Sequence, residues 1–287
     1  MNALPASVAV FGPGLMGGSL LLALRARSPK TKLGAWARRP EAIEGLKARG
    51  LIDFGGTVAE DVARESGLAV LCLPVDRLAA AAESIQEALP ADAVITDVGS
   101  VKQPVVEALE KIFAHDASFV GSHPMCGSEE AGLDAARADL YEGATCVVTP
   151  TPHSRPAAVR AVVDLWRSVG ARILEMDPAQ HDRAAAVVSH VPHVVAALLV
   201  ELVCHEDPQF RDLCAGGFRD TTRIASGSPD LWSAILSSNR REVVGALRKF
   251  GDAVADVREA LEKNDVPAVR ALLQRAATHR AEIPSVS

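Results

Sequence analysis

The sequence predicts an α/β chain: a domain built on a doubly wound parallel sheet, followed by an all-helical domain. Three observations predict this. Short apolar, β-rich runs alternate with helical patterns through the first half of the chain. The first of those runs ends in a glycine-rich turn that leads straight into a helical pattern. From about Asp177 onward, strand signals almost disappear. The domains are therefore expected to span residues 1–176 and 177–287.

Taken in order, Val8–Phe11 is the first strand, and an apolar helix pattern follows it through Leu24. Further strands are expected at Leu33–Trp36, Ala69–Leu73, Val94–Asp97, Phe119–Gly121 and Thr145–Thr149, with helices between them such as Pro40–Arg49 and Lys102–Phe113. Alternation of this kind implies one parallel sheet covered on both faces. A helix over Pro156–Val169 and a strand over Arg172–Glu175 complete the domain. Gln180–His205 then reads as a long apolar helix that Pro192 should kink. Val243, Leu247, Phe250, Val254, Val257 and Leu261 recur at steps of four and three, which lays one apolar stripe along a helix. Asn264-Asp265 ends that helix, and Asp265 is placed to cap a last one running to about Arg280. The apolar surplus of the helical domain exceeds what one small bundle needs. A homodimer interface would absorb it, and so would an ordinary monomeric core.

The turn after the first strand carries the most specific signal. Gly12, Gly14 and Gly17 are spaced G-x-G-x-x-G between a strand and a helix, the arrangement that binds dinucleotides. Gly12 permits the tight turn, Gly14 lets the backbone approach a pyrophosphate, and Gly17 lets helix and strand pack closely. Leu15 and Met16 open the helix, whose first N–H groups face the phosphates. NAD enzymes usually place a carboxylate at the end of the second strand to hold the ribose hydroxyls. Here Ala37 stands at that place, followed by Arg38 and Arg39. Two arginines beside a missing carboxylate favour NADP; a solvated turn compatible with NAD stays open.

Bulk properties narrow the rest. With 287 residues, 48% of them hydrophobic and 23% charged, the composition is that of a globular protein long enough for two domains. A net charge of −6 argues against nucleic acid or an anionic membrane surface as partner. No stretch reads as long and apolar enough to cross a bilayer, and no basic leader precedes the first strand. Five scattered cysteines without C-x-x-C or metal-ligand spacing point to reduced thiols in a cytoplasm and to no metal site.

Three polar clusters fall at strand ends or near the start of the helical domain: Asp97–Lys102, Ser122–Glu129, and Ser189–His193 together with Gly216–Arg223. Each has a purely structural alternative. Ser100 could cap the following helix, His190 and His193 could be satisfied core histidines on one helix face, and Arg219, Asp220 and Arg223 could form a surface charge cluster. A strand-end histidine, a strand-end serine and a phosphate-binding turn together favour an active site.

The motifs F-G-P-G-L-M-G-G-S, D-V-G-S-V-K, G-S-H-P-M-C-G-S-E, S-H-V-P-H, G-F-R-D-T-T-R-I-A and S-P-D-L-W follow one another nearly end to end. In these the chain resembles the prephenate/arogenate dehydrogenases of tyrosine biosynthesis. The resemblance implies a doubly wound nucleotide-binding domain joined to a helical dimerisation domain, and an NAD(P)-dependent oxidative decarboxylation of prephenate, with arogenate as the alternative substrate. It further implies that His123 is the catalytic base and that Ser100 orients the substrate hydroxyl and the nicotinamide. By the same resemblance Arg223 holds a substrate carboxylate, and His193 and His190 face the substrate side chain. Arg219 and Asp220 would set the charge of that cluster, Trp232 would line the pocket, and Glu129 would lie near its mouth. Cys126 departs from the family pattern; its small size implies steric tolerance and no nucleophilic role. Two other readings remain: an oxidoreductase of similar build, such as a β-hydroxyacid dehydrogenase or imine reductase, and a non-catalytic NADP-binding redox sensor.

Overall fold

The computed structural model describes residues 4–113, 118–127, 130 and 132–283. The chain begins β1 (Ser7–Phe11), α1 (Leu15–Arg27), β2 (Lys32–Trp36), α2 (Pro40–Ala48), β3 (Phe54–Gly56), α3 (Ala59–Arg64), β4 (Leu68–Leu71) and α4 (Leu78–Ile85). It continues β5 (Val94–Asp97), α5 (Gln103–Ile112), β6 (Ser118–Phe119), β7 (Gly121–Pro124), β8 (Thr145–Thr149), α6 (Pro156–Ser168) and β9 (Arg172–Glu175). The helical part follows as α7 (Pro178–Ala185), a π-helical turn (Ala186–His190), α8 (Val191–His205), α9 (Gly216–Thr222), α10 (Pro229–Ser238), α11 (Arg240–Glu262) and α12 (Val266–Glu282).

Strands β1 to β6 pair in parallel in the order β3-β2-β1-β4-β5-β6. The order reverses beside β1, so the carboxyl ends of β1 and β4 open the crevice where such sheets take their ligands. Alternate residues of β1 serve opposite faces: Val8 and Val10 pack with α1, α2 and α6, while Ala9 and Phe11 pack with α3, α4 and α5. That double coverage is why the strands read as unbroken apolar runs.

One parallel sheet was the expectation; the last strands form a second. β7 pairs antiparallel with β8, which pairs parallel with β9. The single strand expected over Phe119–Gly121 is divided between the two sheets, β6 ending at Phe119 and β7 starting at Gly121. Glycine suits this handover, because a Cβ at Gly121 would lie 2.5 Å from Thr149 Oγ1 and 2.8 Å from a Val106 methyl. The short β3 gave no sequence signal: it is three residues long and two of them are glycine.

The kink expected at Pro192 takes the form of the π turn that precedes it. Val191 N–H reaches back to the Ala186 carbonyl, and Pro192 falls in the first turn of α8, where a missing N–H is tolerated. The helix therefore runs on past the proline. Pro178–His205 becomes one stretch of 28 residues containing an 18-residue window of mean hydropathy 1.9, long and apolar enough by length and composition to cross a membrane. This corrects the expectation that no such stretch exists. The stretch also carries His181, Asp182, His190 and His193, all buried against the rest of the chain. Its opposite face is bare: Leu198 and Leu202 stay exposed.

On α11 the expected stripe begins in the core at Val243 and ends outside it, with Phe250 44% and Leu261 62% exposed. Asp265 caps α12 as expected, its side chain accepting from Ala268 N–H at 3.0 Å.

Candidate active site

The glycine turn has the geometry its spacing predicts. Gly12 sits at φ +98°, and a Cβ there would lie 2.6 Å from the Cys72 carbonyl. A Cβ at Gly17 would lie 2.4 Å from the Gly12 carbonyl, so close packing of α1 on β1 demands glycine. At Gly14, the N-cap of α1, a Cβ would meet nothing within 4 Å, so packing within the chain does not demand glycine there. Gly12, Gly14, Arg38, Arg39 and Leu73 line a cavity of about 240 Å³. No carboxylate is among the described residues lining it. A nicotinamide dinucleotide fits this donor set: free N–H groups at a helix start for the pyrophosphate, and two exposed guanidinium groups at the end of β2. Leu15 and Met16 form the first turn of α1 as expected but do not line the cavity.

A second cavity, about 400 Å³, lies between the sheet and the helical part. Ser100, His123, Cys126, Arg223, Trp232 and Ile235 are among the residues that line it. The cavity thus brings together residues more than a hundred positions apart. Burial pushes the Cys126 thiol up to about 12, although the Arg137 guanidinium opposes the shift, so Cys126 stays a neutral thiol in this wall.

His123 is held from behind. Lys102 and Asp97 are fully buried and paired, and Lys102 Nζ also donates to the Ser122 carbonyl at 2.9 Å. Asp97 accepts from Ser122 N–H at 3.2 Å and from Gly99 N–H at 2.8 Å. Ser122 Oγ donates to the Asp97 carbonyl, and Trp166 Nε1 donates to Ser122 Oγ. The strand that carries His123 is therefore tied to the end of β5 by a hydrogen-bonded network in which every charge has a partner. On its other side, His123 Nδ1 lies 2.9 Å from His181 Nε2, and His181 Nδ1 lies 2.8 Å from Asp182 Oδ1. Desolvation holds the pKa of His123 well below the usual histidine value, and the nearby His181, Lys102 and His190 add to the shift. His123 is thus a neutral imidazole, able to accept a proton.

The two later histidines gather on one tryptophan. His193 stacks on Trp232 with ring centres 3.5 Å apart, and His190 meets the same ring edge-on at 6.2 Å. Asn239 Nδ2 donates to the Asp182 carbonyl at 2.8 Å, which fixes the amide; the same group then donates to His190 Nδ1 at 3.1 Å. His190 Nε2 must therefore carry the ring proton. That N–H is buried without a hydrogen bond of good geometry, as is His193 Nδ1. Burial brings the His190 pKa down to about 4, while Asp182 and the nearby Ser100 carbonyl oppose the shift.

Of the other expected residues, Arg219 is exposed on α9 with its Nε donating to the Cys214 carbonyl at 3.2 Å, and Asp220 is exposed beside it. Neither lines the cavity. Glu129 lies outside the described residues. Ser100 does not cap α5. Asp182 does, reaching across from α7 to accept from Lys102 N–H at 2.7 Å and Gln103 N–H at 2.9 Å. Asp97 and Lys102 bounded the first polar cluster but were given no role, and His181, Asp182 and Asn239 were not singled out from sequence. The Asp97–Lys102 pair had a signal, opposite charges five residues apart at a strand end. The His181-Asp182 pair had only its position, one residue after Gln180 in the apolar helix.

Profiles of two domain families match the chain. One described as the nucleotide-binding domain of prephenate dehydrogenase covers residues 20–175, and one described as its dimerization domain covers residues 177–275. Among curated relatives, the prephenate dehydrogenase of Bacillus subtilis is 32% identical over 99% of this chain and 78% of its own length. The cyclohexadienyl dehydrogenase of Zymomonas mobilis is also 32% identical, over 90% of this chain and 89% of its own. Among solved structures, prephenate dehydrogenase from Aquifex aeolicus, in complex with hydroxyphenyl propionate and NAD+, superposes with a TM-score of 0.91 at 32% identity and covers 99% of both chains.

Proposed function

Because the chain belongs to the prephenate dehydrogenase family, we propose that it catalyses the oxidative decarboxylation of prephenate to 4-hydroxyphenylpyruvate. The observation that carries this reading is the shared cavity of about 400 Å³, which sets a neutral imidazole, a hydroxyl and a guanidinium around one small-molecule site.

The cofactor, when bound, supplies the hydride acceptor, held by the Gly12–Gly17 turn and by Arg38 and Arg39. His123 accepts the proton of the ring hydroxyl as hydride leaves the same carbon. The carboxylate on the opposite ring carbon departs as carbon dioxide, and its electron pair completes the aromatic ring. The oxygen then recovers its proton from His123, so the residue ends as it began. Ser100 orients the hydroxyl. Arg223 holds a carboxylate through its planar fork. His190, with Nε2–H as donor, and His193 against Trp232 form the wall that meets the side chain.

The missing carboxylate after β2 and the paired arginines make NADP the favoured cofactor. The bare apolar faces of α8, α11 and α12 favour a homodimer closed through the helical part over a membrane-inserted chain, and the scattered free cysteines favour a reducing cytoplasm. Initial rates with prephenate and arogenate, each with NAD and NADP, test the reading. Reduced nicotinamide and 4-hydroxyphenylpyruvate from prephenate are expected. Turnover confined to arogenate, or no turnover of either, overturns it.

A further inference from the structure

His123 is the near end of a chain of buried groups that crosses from β7 to α7. At the far end, Asp182 accepts from two backbone donors, Lys102 N–H on Oδ1 and Gln103 N–H on Oδ2, and its Oδ1 also faces His181 Nδ1 at 2.8 Å. A carboxylate that accepts at both oxygens has no proton to offer, so its contact to His181 takes Nδ1 as the donor. His181 must then carry its proton on Nδ1, which leaves its Nε2 as a lone pair. The group facing that lone pair at 2.9 Å is His123 Nδ1, so it must be the donor. The proton of neutral His123 is thereby fixed on Nδ1, and Nε2 remains as the one ring atom able to accept a proton. His181 and Asp182 are both 2% exposed, so water does not compete for these bonds.

We propose that His181 and Asp182 are positioning residues that hold His123 in the Nδ1–H tautomer and back the positive charge its ring gains on taking the substrate's hydroxyl proton at Nε2. The inference rests on the dehydrogenase reading above and adds two residues to it. When Nε2 is protonated, the new charge has a proton already committed to His181 and a carboxylate one imidazole further on. This resembles the carboxylate–histidine pair of hydrolytic triads, where the acid holds the tautomer and stabilises the imidazolium, lengthened here by one ring. The groups around His123 otherwise oppose protonation. Lys102 stands behind it at the start of α5, paired with Asp97 of β5, and His190 approaches from the π turn; Cys146 of β8 and Cys126 remain neutral thiols. Asp182 is the negative group on the side that His123 hydrogen-bonds. Because Asp182 also caps α5, this tautomer is enforced only while α7 is docked on the sheet.

The test has two arms on the full-length protein. Nitrogen-15 spectra of histidine-labelled wild type, with His123→Gln to assign the signal, are expected to show His123 as the Nδ1–H tautomer at neutral pH. In kinetics, His181→Phe removes the acceptor and should lower kcat for prephenate about 10²-fold with KM changed less than about threefold, within the span of a general base that has lost its orientation. His181→Gln can accept from His123 with its amide oxygen and donate to Asp182 with its amide nitrogen, and should restore about tenfold of that loss. Asp182→Asn withdraws the charge that favours the imidazolium, so the acid limb of kcat/KM should move to lower pH; a merely structural role would leave the limb in place. His123 found as the Nε2–H tautomer, or unmoved kcat in His181→Phe with an unmoved acid limb in Asp182→Asn, overturns the proposal. Should His181→Phe fail to fold, the wild-type spectrum and the Asp182→Asn limb still decide. Absence of any turnover of prephenate by wild type would instead remove the dehydrogenase reading, and the tautomer spectrum would still judge the hydrogen-bonded chain.

Discussion

The sheet and the helical part satisfy their residues in opposite ways. In the sheets, the central strands β1, β4, β5 and β7 are buried almost throughout, and the charges taken inside with them, Asp97 and Lys102, are paired and hydrogen-bonded. In the helical part, apolar side chains such as Leu202, Phe250 and Leu273 remain in solvent, while polar groups, His181, Asp182, His190 and Asn239, are buried beside a few apolar ones such as Val191, Ile235 and Val243. One part completes its own core; the other takes its order from what it touches. The difference teaches that the reaction belongs to the seam, and that the exposed apolar face answers to something outside the protomer.

The largest expected effects lie at the seam. His123→Gln should lower kcat for prephenate by about 10²–10⁴, the usual worth of a general base, while the thermal midpoint stays near that of wild type. A midpoint that falls along with activity would mean that His123 mainly holds the fold. Lys102→Met acts through stability. It leaves the Asp97 carboxylate fully buried beside an apolar chain, and breaking a buried pair in this way costs about 3–5 kcal/mol. The double variant Asp97→Asn, Lys102→Met carries no buried charge and should regain much of the lost stability in denaturant unfolding. Equal destabilisation in single and double variants would mean that packing, not charge pairing, ties β7 to β5.

Legibility from sequence follows the same division. Strands β1, β2, β5 and β8 were readable because burial on both faces writes continuous apolar runs, and the Gly12–Gly17 turn because only glycine fits the backbone at Gly12 and Gly17. The second sheet was not readable, since an apolar run does not state which neighbour it pairs with; Phe119–Gly121 looks like one strand although the chain changes sheets inside it. Residues that line the 400 Å³ cavity, Ser100, His123, Arg223 and Trp232, were found through motif order. Those that hold them were not. Asp182 caps a helix nearly eighty residues upstream, and the π turn breaks the 3.6-residue period that would have set His181 against His190. Contacts of long sequence separation leave no periodic trace.

The exposed stripe offers a break on the other side of the comparison. Phe250→Glu places a charge on a helix face that the homodimer reading covers. Losing burial of one large apolar side chain costs about 1.5–3 kcal/mol in each protomer, and a desolvated carboxylate adds to that. The variant should shift from dimer toward monomer in sedimentation equilibrium at micromolar concentration, with the spectroscopic signature of the folded sheet retained. A wild type that is monomeric at every concentration would leave the stripe without this role.

The smallest effect concerns the far end of the first cavity. Arg38 and Arg39 follow β2 at the place where a ribose-binding carboxylate would stand, and both are exposed, so solvent screens their charge. A charge-assisted bond to a phosphate in such a setting is worth about 1.4 kcal/mol, a tenfold effect. Arg38→Ala with Arg39→Ala should therefore lower kcat/KM for NADP about tenfold and leave that for NAD within about threefold. The loss for NADP should also shrink as salt rises, because added ions already weaken the attraction in the parent. Equal losses with both cofactors would place the arginines on the shared pyrophosphate or adenine instead, and the preference for NADP would then have no residue to rest on.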